Sequence, residues 1–241
     1  LAFMFFSIGL ARPQIGAKLK EHQSKGAEVM IALDVSNSML AQDYSPDRLQ
    51  RAKLAISRLV DKLNGDRIGL VLFAGTSFVQ LPITTDYVSA KMFLGNISTE
   101  SVPVQGTAIG DAINTCIKSF SAQSENSRAI IVITDGENHE DNPVEAAKTA
   151  ASMGISVYTI GVGSAQGQPI PMKGGLLKDS QGNIVVTKLD EATLKEVAKA
   201  GNGAYVHAGN NEFGLNPVID NIRKLNDQEF SSVVFEEYDE Q

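Results

Sequence analysis

The stretch EVMIALDVSNS, residues 28–38, decides the fold. Val29 to Leu33 are apolar without the alternation of a strand wetted on one face, so the segment reads as a parallel strand buried on both sides. It ends on an acid, Asp34, and runs on into small polar residues. Working outward, RIGLVLFA (67–74), RAIIVITD (128–135) and ISVYTIGVG (155–163) have the same character. TSFVQLP (76–82) reads as a short antiparallel edge strand ending at Pro82, which has no N–H for a neighbour.

Helical spacing fills the gaps. Ser45-Pro46-Asp47 opens a helix with Ser45 as N-cap and Pro46 at the first position, and Leu49, Ala52, Ile56, Leu59 and Leu63 form its apolar stripe. Further helices are expected over 86–96, with Asp86 as N-cap, and over 107–121. Asn142-Pro143 opens another that Gly154 closes. Residues 164–189 break the rhythm and read as a β-hairpin insertion with turns near 174 and 179–183. Asp190 then caps a helix carrying Leu194, Val197 and Ala198 and stopped by Gly201. AYVHA (204–208) is a last strand, and Asn216-Pro217 opens a last helix with Val218, Ile219, Ile222 and Leu225. The alternation predicts an α/β fold: a doubly wound, Rossmann-like, mostly parallel sheet flanked by helices. Such sheets take ligands beyond the carboxyl ends of their strands. Asp34 and Asp135 both stand at such ends.

Composition narrows the function. The 241 residues are 43% hydrophobic and 20% charged, enough for a sizeable core. A net charge of −7 argues against a nucleic-acid binder, which needs a basic footprint. Cys116 is the single cysteine, so an intrachain disulfide and a multi-cysteine zinc site are both excluded. It lies at helical spacing with Ala112, Ile113, Ile117 and Phe120, which predicts a buried, inert thiol. His22, His139 and His207 are scattered without ligand spacing.

LAFMFFSIGLA (1–11) is too short to cross a bilayer, which takes ~20 apolar residues. It reads as the end of a transmembrane helix, with Arg12 and Pro13 at its exit; a buried core helix is the alternative. Residues 12–27 then form a membrane-proximal linker, 28–226 the globular domain, and 227–241 a tail leading towards a possible further span.

The chemistry lies in three loops. Asp34, Ser36 and Ser38 alternate after the first strand, so a carboxylate and two hydroxyls can face one pocket. Thr107 follows Gly106, a residue that permits an unusual turn. Asp135 follows Thr134 and precedes Gly136. All are hard oxygen donors, suited to Mg²⁺, Mn²⁺ or Ca²⁺ rather than to a thiol-seeking metal. Tyr44, Gly106 and Glu137 are candidates for a surrounding partner-binding face. Glu137, His139, Glu140 and Asp141 otherwise read as a solvated loop that tunes the field.

D-x-S-x-S at 34–38, Thr107 after a glycine, and T-D-G-E at 134–137, in this order, resemble the metal-ion-dependent adhesion site of von Willebrand factor A domains. The likeness spans roughly residues 28–226. It implies that Ser36, Ser38 and Thr107 contact the metal directly while Asp34 and Asp135 act through water. It also implies that an acidic side chain of a partner protein completes the shell, with binding rather than turnover as the outcome. ARPQIG (11–16) after an apolar run, with KGG (173–175) and DSQGNIV (179–185), further resembles the Bat proteins of the Bacteroides aerotolerance operon, BatB more than BatA. That likeness implies a bacterial inner-membrane anchor, other Bat-type membrane proteins and a MoxR-type AAA+ ATPase system as partners, and a role in an envelope stress complex. Arg12, Lys18, Lys20 and Lys25 would favour the cytoplasmic side, but the resemblance points to the periplasm, which is the placement expected.

Three rivals are weighed, and the dinucleotide-binding one is discarded. A haloacid-dehalogenase-type phosphohydrolase also puts an Asp at a strand end, but it wants a second Asp where Ser36 stands. GVGSAQG (161–167) has the wrong spacing for a dinucleotide fingerprint and leads into a hairpin rather than a helix. A metal-independent interaction domain would use the same fold without the cation.

Overall fold

The structure, a computed structural model, describes residues 26–121, 126–138, 140–209 and 213–224. The expected span remnant at 1–11, residues 12–25 of the linker, His22, His139, Leu225 and the 227–241 tail lie outside the described residues.

The central sheet contains β1 (Glu28–Asp34), β2 (Arg67–Phe73), β3 (Ser77–Thr84), β4 (Arg128–Thr134), β5 (Ile155–Gly161) and β10 (Asn202–His207). Its order is β10-β5-β4-β1-β2-β3, with only β3 antiparallel to its neighbour. The chain therefore leaves β1 to one side for β2 and returns on the other side for β4. The loops after β1 and β4 diverge at this switch point and open the crevice in which such folds bind ligands.

Alternation along each strand divides the core in two. Val29, Ile31 and Leu33 pack towards α1 (Arg48–Val60), α2 (Tyr87–Gly95) and the last helix over 215–224. Met30 and Ala32 pack towards α3 (Ile109–Ser119), α4 (Pro143–Ser152) and α5 (Glu191–Ala200). β1 and β4 are covered on both faces, which is why they read as unbroken apolar runs. Each such aliphatic side chain contributes roughly 1.5–3 kcal/mol on burial.

The insertion forms two short pairs: β6 (Gln168–Pro169) with β9 (Val186–Thr187), and β7 (Pro171–Met172) with β8 (Gly175–Leu176). Gly174 has φ +100 in the inner turn, a conformation that favours glycine. Asp179 accepts the N–H groups of Gln181 and Asn183 and closes the outer turn.

Several boundaries differ from expectation, and the last helix starts at residue 215, ahead of Asn216-Pro217 rather than after it. α1 starts at Arg48, and its cap is Asp47 rather than Ser45: the Asp47 carboxylate accepts Gln50 N–H at 2.7 Å. A carboxylate at the positive helix end adds charge to the capping bond, which a serine hydroxyl cannot. α3 begins at Ile109, two residues after Thr107. β3 continues through Pro82 to Thr84, because an outer strand tolerates the missing donor. Asp86, Asn142 and Asp190 cap their helices as read, each accepting the N–H three residues on. Among the described residues no helix is long and apolar enough to cross a membrane.

Cys116 is wholly buried on α3, and burial pushes its thiol well above its usual range. The native protein should therefore leave Ellman's reagent unreacted at pH 8 and react fully in guanidinium; fast native reaction would contradict this burial.

Candidate metal centre

β1 and β4 lie side by side, and each delivers one carboxylate to the same end of the sheet. Asp34 and Asp135 are both fully buried. Asp34 Oδ1 accepts Ser36 N–H at 2.8 Å, which turns the loop so that the Ser36 and Ser38 hydroxyls face each other at 2.9 Å. Asp34 Oδ2 accepts the Thr134 hydroxyl at 2.6 Å across the strands. Gly136 has φ +81, and a Cβ there would lie 2.7 Å from Asp190 O, so the chain turns after Asp135 only with glycine.

The third loop is tied to both of these. Asn37, between the two serines, donates its N–H to Gln105 Oε1 at 3.0 Å. Gly106 has φ +130, and a Cβ would meet Glu140 Oε1 at 2.9 Å. The start of α3 is capped from the β4 loop: Asn138 Oδ1 accepts Ile109 N–H, and Asp141 accepts those of Gly110 and Asp111. Capping is thereby taken over by Asn138 and Asp141, and Thr107, 7% exposed, is not the helix cap. Its flanking residues are fixed to the other two loops.

The surrounding acidic stretch is not simply solvated. Glu137 accepts Lys188 N–H at 2.9 Å and shares with Asp135 the single proton of the Thr187 hydroxyl, 2.9 Å from Glu137 Oε2, fastening the insertion to the site, while Asp141 is the helix cap just described. Tyr44 is half-buried and donates its hydroxyl to Ala208 O, so this candidate face residue also braces its loop against the end of β10.

Sequence reading missed four residues. Thr134 holds Asp34. Arg48 is fully buried and donates to Asp135 Oδ2 at 2.8 Å. Asp43 receives Arg48 through both oxygens, at 2.8 and 2.7 Å. Thr187 shares Asp135 Oδ2 with Arg48 at 2.8 Å. Thr134 stands inside the quoted T-D-G-E motif and could have been inferred from it. An arginine in the first turn of an amphipathic helix carries no sign that it points inward.

Electrostatics follow from burial. Burial first, and then the Asp135 carboxylate, push the Asp34 carboxyl up to about 7, against the hydrogen bonds of Thr134 and Ser36. Burial raises Asp135 too, although the Arg48 charge and the hydroxyls of Ser38 and Thr187 pull the other way. Burial alone would raise Asp43, but the Arg48 pair and Ser164 N–H hold it below its usual range. Among the described residues no group of three or more His, Cys, Asp or Glu is placed to hold a metal. A cation here would depend on serine and threonine hydroxyls backed by two acids, a donor set that fits a hard divalent ion.

A doubly wound sheet with D-x-S-x-S after its central strand and an acid after the adjacent strand defines a class. The chain belongs to the von Willebrand factor type A domain family, whose profile matches residues 28–211. Within that family it is similar to an aerotolerance-related membrane protein from Bacteroides fragilis, 52% identical, with TM-score 0.80 over 83% of this chain and 100% of that one. It is equally similar, at 52% identity and TM-score 0.78, to the conserved hypothetical protein BatB from Bacteroides thetaiotaomicron, over 86% of this chain and 100% of that one. A UPF0353 protein from Nocardia farcinica is 31% identical over 93% of this chain and 69% of its own length. The chain spans about two thirds of the curated relatives, 66% and 69% of the first two. The fold is shared with proximal thread matrix protein 1 of the mussel byssus, 19% identical, in a structure with a zinc-occupied adhesion motif.

The raised Asp34 fixes the sign of a pH effect. In the unfolded chain this carboxyl ionises near 3.8; in the fold it keeps its proton until about 7. The folded state therefore binds more protons across that window, and this contribution to stability is lost as pH rises through it. In EDTA, the urea midpoint of wild type relative to Asp34→Asn should fall between pH 5 and pH 7.5. Parallel pH profiles for the two proteins would refute the assignment.

Proposed function

We propose that this chain is a membrane-tethered, metal-dependent protein-binding module rather than an enzyme. Ser36, Ser38 and Thr107 would hold a divalent ion of the Mg²⁺ type, with Mn²⁺ or Ca²⁺ as substitutes, and Asp34 and Asp135 would support it through water. The observation that carries this reading is how the acids are used. Both carboxylates are already hydrogen-bonded by the protein's own groups, Asp34 by Ser36 and Thr134 and Asp135 by Arg48 and Thr187, while the serine hydroxyls face each other in the crevice. An ion held mainly by neutral hydroxyls stays electron-poor and attracts a further carboxylate.

The ligand is then an acidic side chain of a partner protein, with Tyr44, Gly106 and Glu137 around the contact. Relatives named for aerotolerance and for membrane location support placing the chain in an envelope stress complex, anchored in a bacterial inner membrane with this domain in the periplasm. Other Bat-type membrane proteins and a MoxR-type AAA+ ATPase system are the partners that reading suggests. Ser36 stands where a phosphohydrolase of the rival type needs a second acid, and GVGSAQG runs into the hairpin, where Ser164 N–H donates to Asp43 rather than to a phosphate.

A cation at about a hundred times its Kd should stabilise the fold by about 2.7 kcal/mol. For a domain of this size that raises Tm by on the order of 5–10 °C. Ser36→Ala should abolish the shift with Mg²⁺, Mn²⁺, Ca²⁺ and Zn²⁺ without unfolding the protein. Affinity capture should recover partners from wild type in Mg²⁺ but not in EDTA or with Ser36→Ala. Equal recovery in all three conditions would favour a metal-independent interaction domain.

A further inference from the structure

Arg48 puts a fixed positive charge beside the candidate cation site. It is the first residue of α1, and its side chain is wholly out of water. Its Nε and Nη2 clasp both oxygens of Asp43, and its Nη1 reaches Asp135 Oδ2 at 2.8 Å and Thr187 Oγ1 at 3.1 Å. The backbone of Gly163 closes the pocket so tightly that a Cβ there would come within 2.7 Å of the guanidinium. Asp135 is thus held at Oδ2, while its Oδ1 accepts Glu137 N–H at 3.4 Å and the Ser38 hydroxyl also bonds to its carboxylate.

Two physical consequences follow. A carboxylate engaged on one oxygen by a buried guanidinium is not free to swing forward and bind a metal directly. A fixed positive charge beside the crevice also lowers the attraction of the acids for a divalent ion. We propose that Arg48 is a positioning residue that keeps Asp135 in the outer sphere and sets the metal affinity low, so that the ion keeps its appetite for a partner's carboxylate. Asp43 is the counterweight: it offsets part of the Arg48 charge and thereby moderates the effect. This inference rests on the metal reading above.

The test is Mn²⁺ titration of the EDTA-stripped 241-residue chain, with free Mn²⁺ read by electron paramagnetic resonance. Arg48→Gln should bind Mn²⁺ at least about tenfold tighter than wild type. Asp43→Asn, which leaves the Arg48 charge less balanced, should bind it more weakly. Arg48→Lys, which keeps the charge, should stay near wild type. Opposite shifts from the two halves of one ion pair are a signature that loss of structure does not give. Weaker or unchanged binding by folded Arg48→Gln overturns the proposal. If that variant does not fold, unchanged binding by Asp43→Asn overturns it alone. Absence of Mn²⁺ binding in wild type would instead refute the metal reading itself.

Discussion

Two carboxylates are held out of water at the ends of adjacent strands, and the loops around them are arranged to satisfy them. Asp34 and Asp135 cannot both be charged in an apolar crevice without donors close by. Thr134 and the Ser36 amide answer the first, and Arg48 and Thr187 answer the second. Each donor comes from a different place in the chain: the β4 end, the loop after β1, the start of α1 and the insertion. Satisfying the two acids therefore adds polar ties among four segments, three of which also meet in one apolar cluster through Ile133, Val35, Met39 and Leu49.

That arrangement gives the insertion a structural purpose. Its turns are exposed and polar, and its strands are two residues each, too short for a sheet to stabilise by itself. It is anchored at its base by polar contacts: Ser164 N–H on Asp43, Lys188 N–H on Glu137, and Asp190 N–H on the Asp135 carbonyl. The hairpin is thus an extension of the site's own hydrogen-bond network.

The fold was legible because its information is periodic. Unbroken apolar runs, the Asp86, Asn142 and Asp190 caps and the glycine stops are local signals, and each element they predicted is present. The start of α1 was misplaced because Ser45 and Asp47 both look like caps and only the carboxylate carries charge. In the site, the residues of the family motif could be named because they repeat at short spacing in three loops. Arg48, Asp43 and Thr187 could not, because their meaning lies in contacts with Asp135, 87 and 52 residues along the chain from Arg48 and Thr187, and Asp43 matters only through the buried Arg48 it balances. A sequence shows an arginine; it does not show that the guanidinium is buried.

The same separations bear on how the domain is made. β1 pairs with β4, and Asp34 meets Thr134 a hundred residues later. During synthesis β1 can pair with β2 early, but its other edge and the face that packs on α3 and α4 wait for residues 109–152. Parallel sheets with such distant contacts fold slowly, since long loops must close before the contacts reward them. The crevice is completed late, because Thr187 is the last of its four donors to be translated. A nascent chain thus brings the donors to the two acids in the order Ser36, Arg48, Thr134 and Thr187, and α5, β10 and the last helix complete the hydrophobic layers after them.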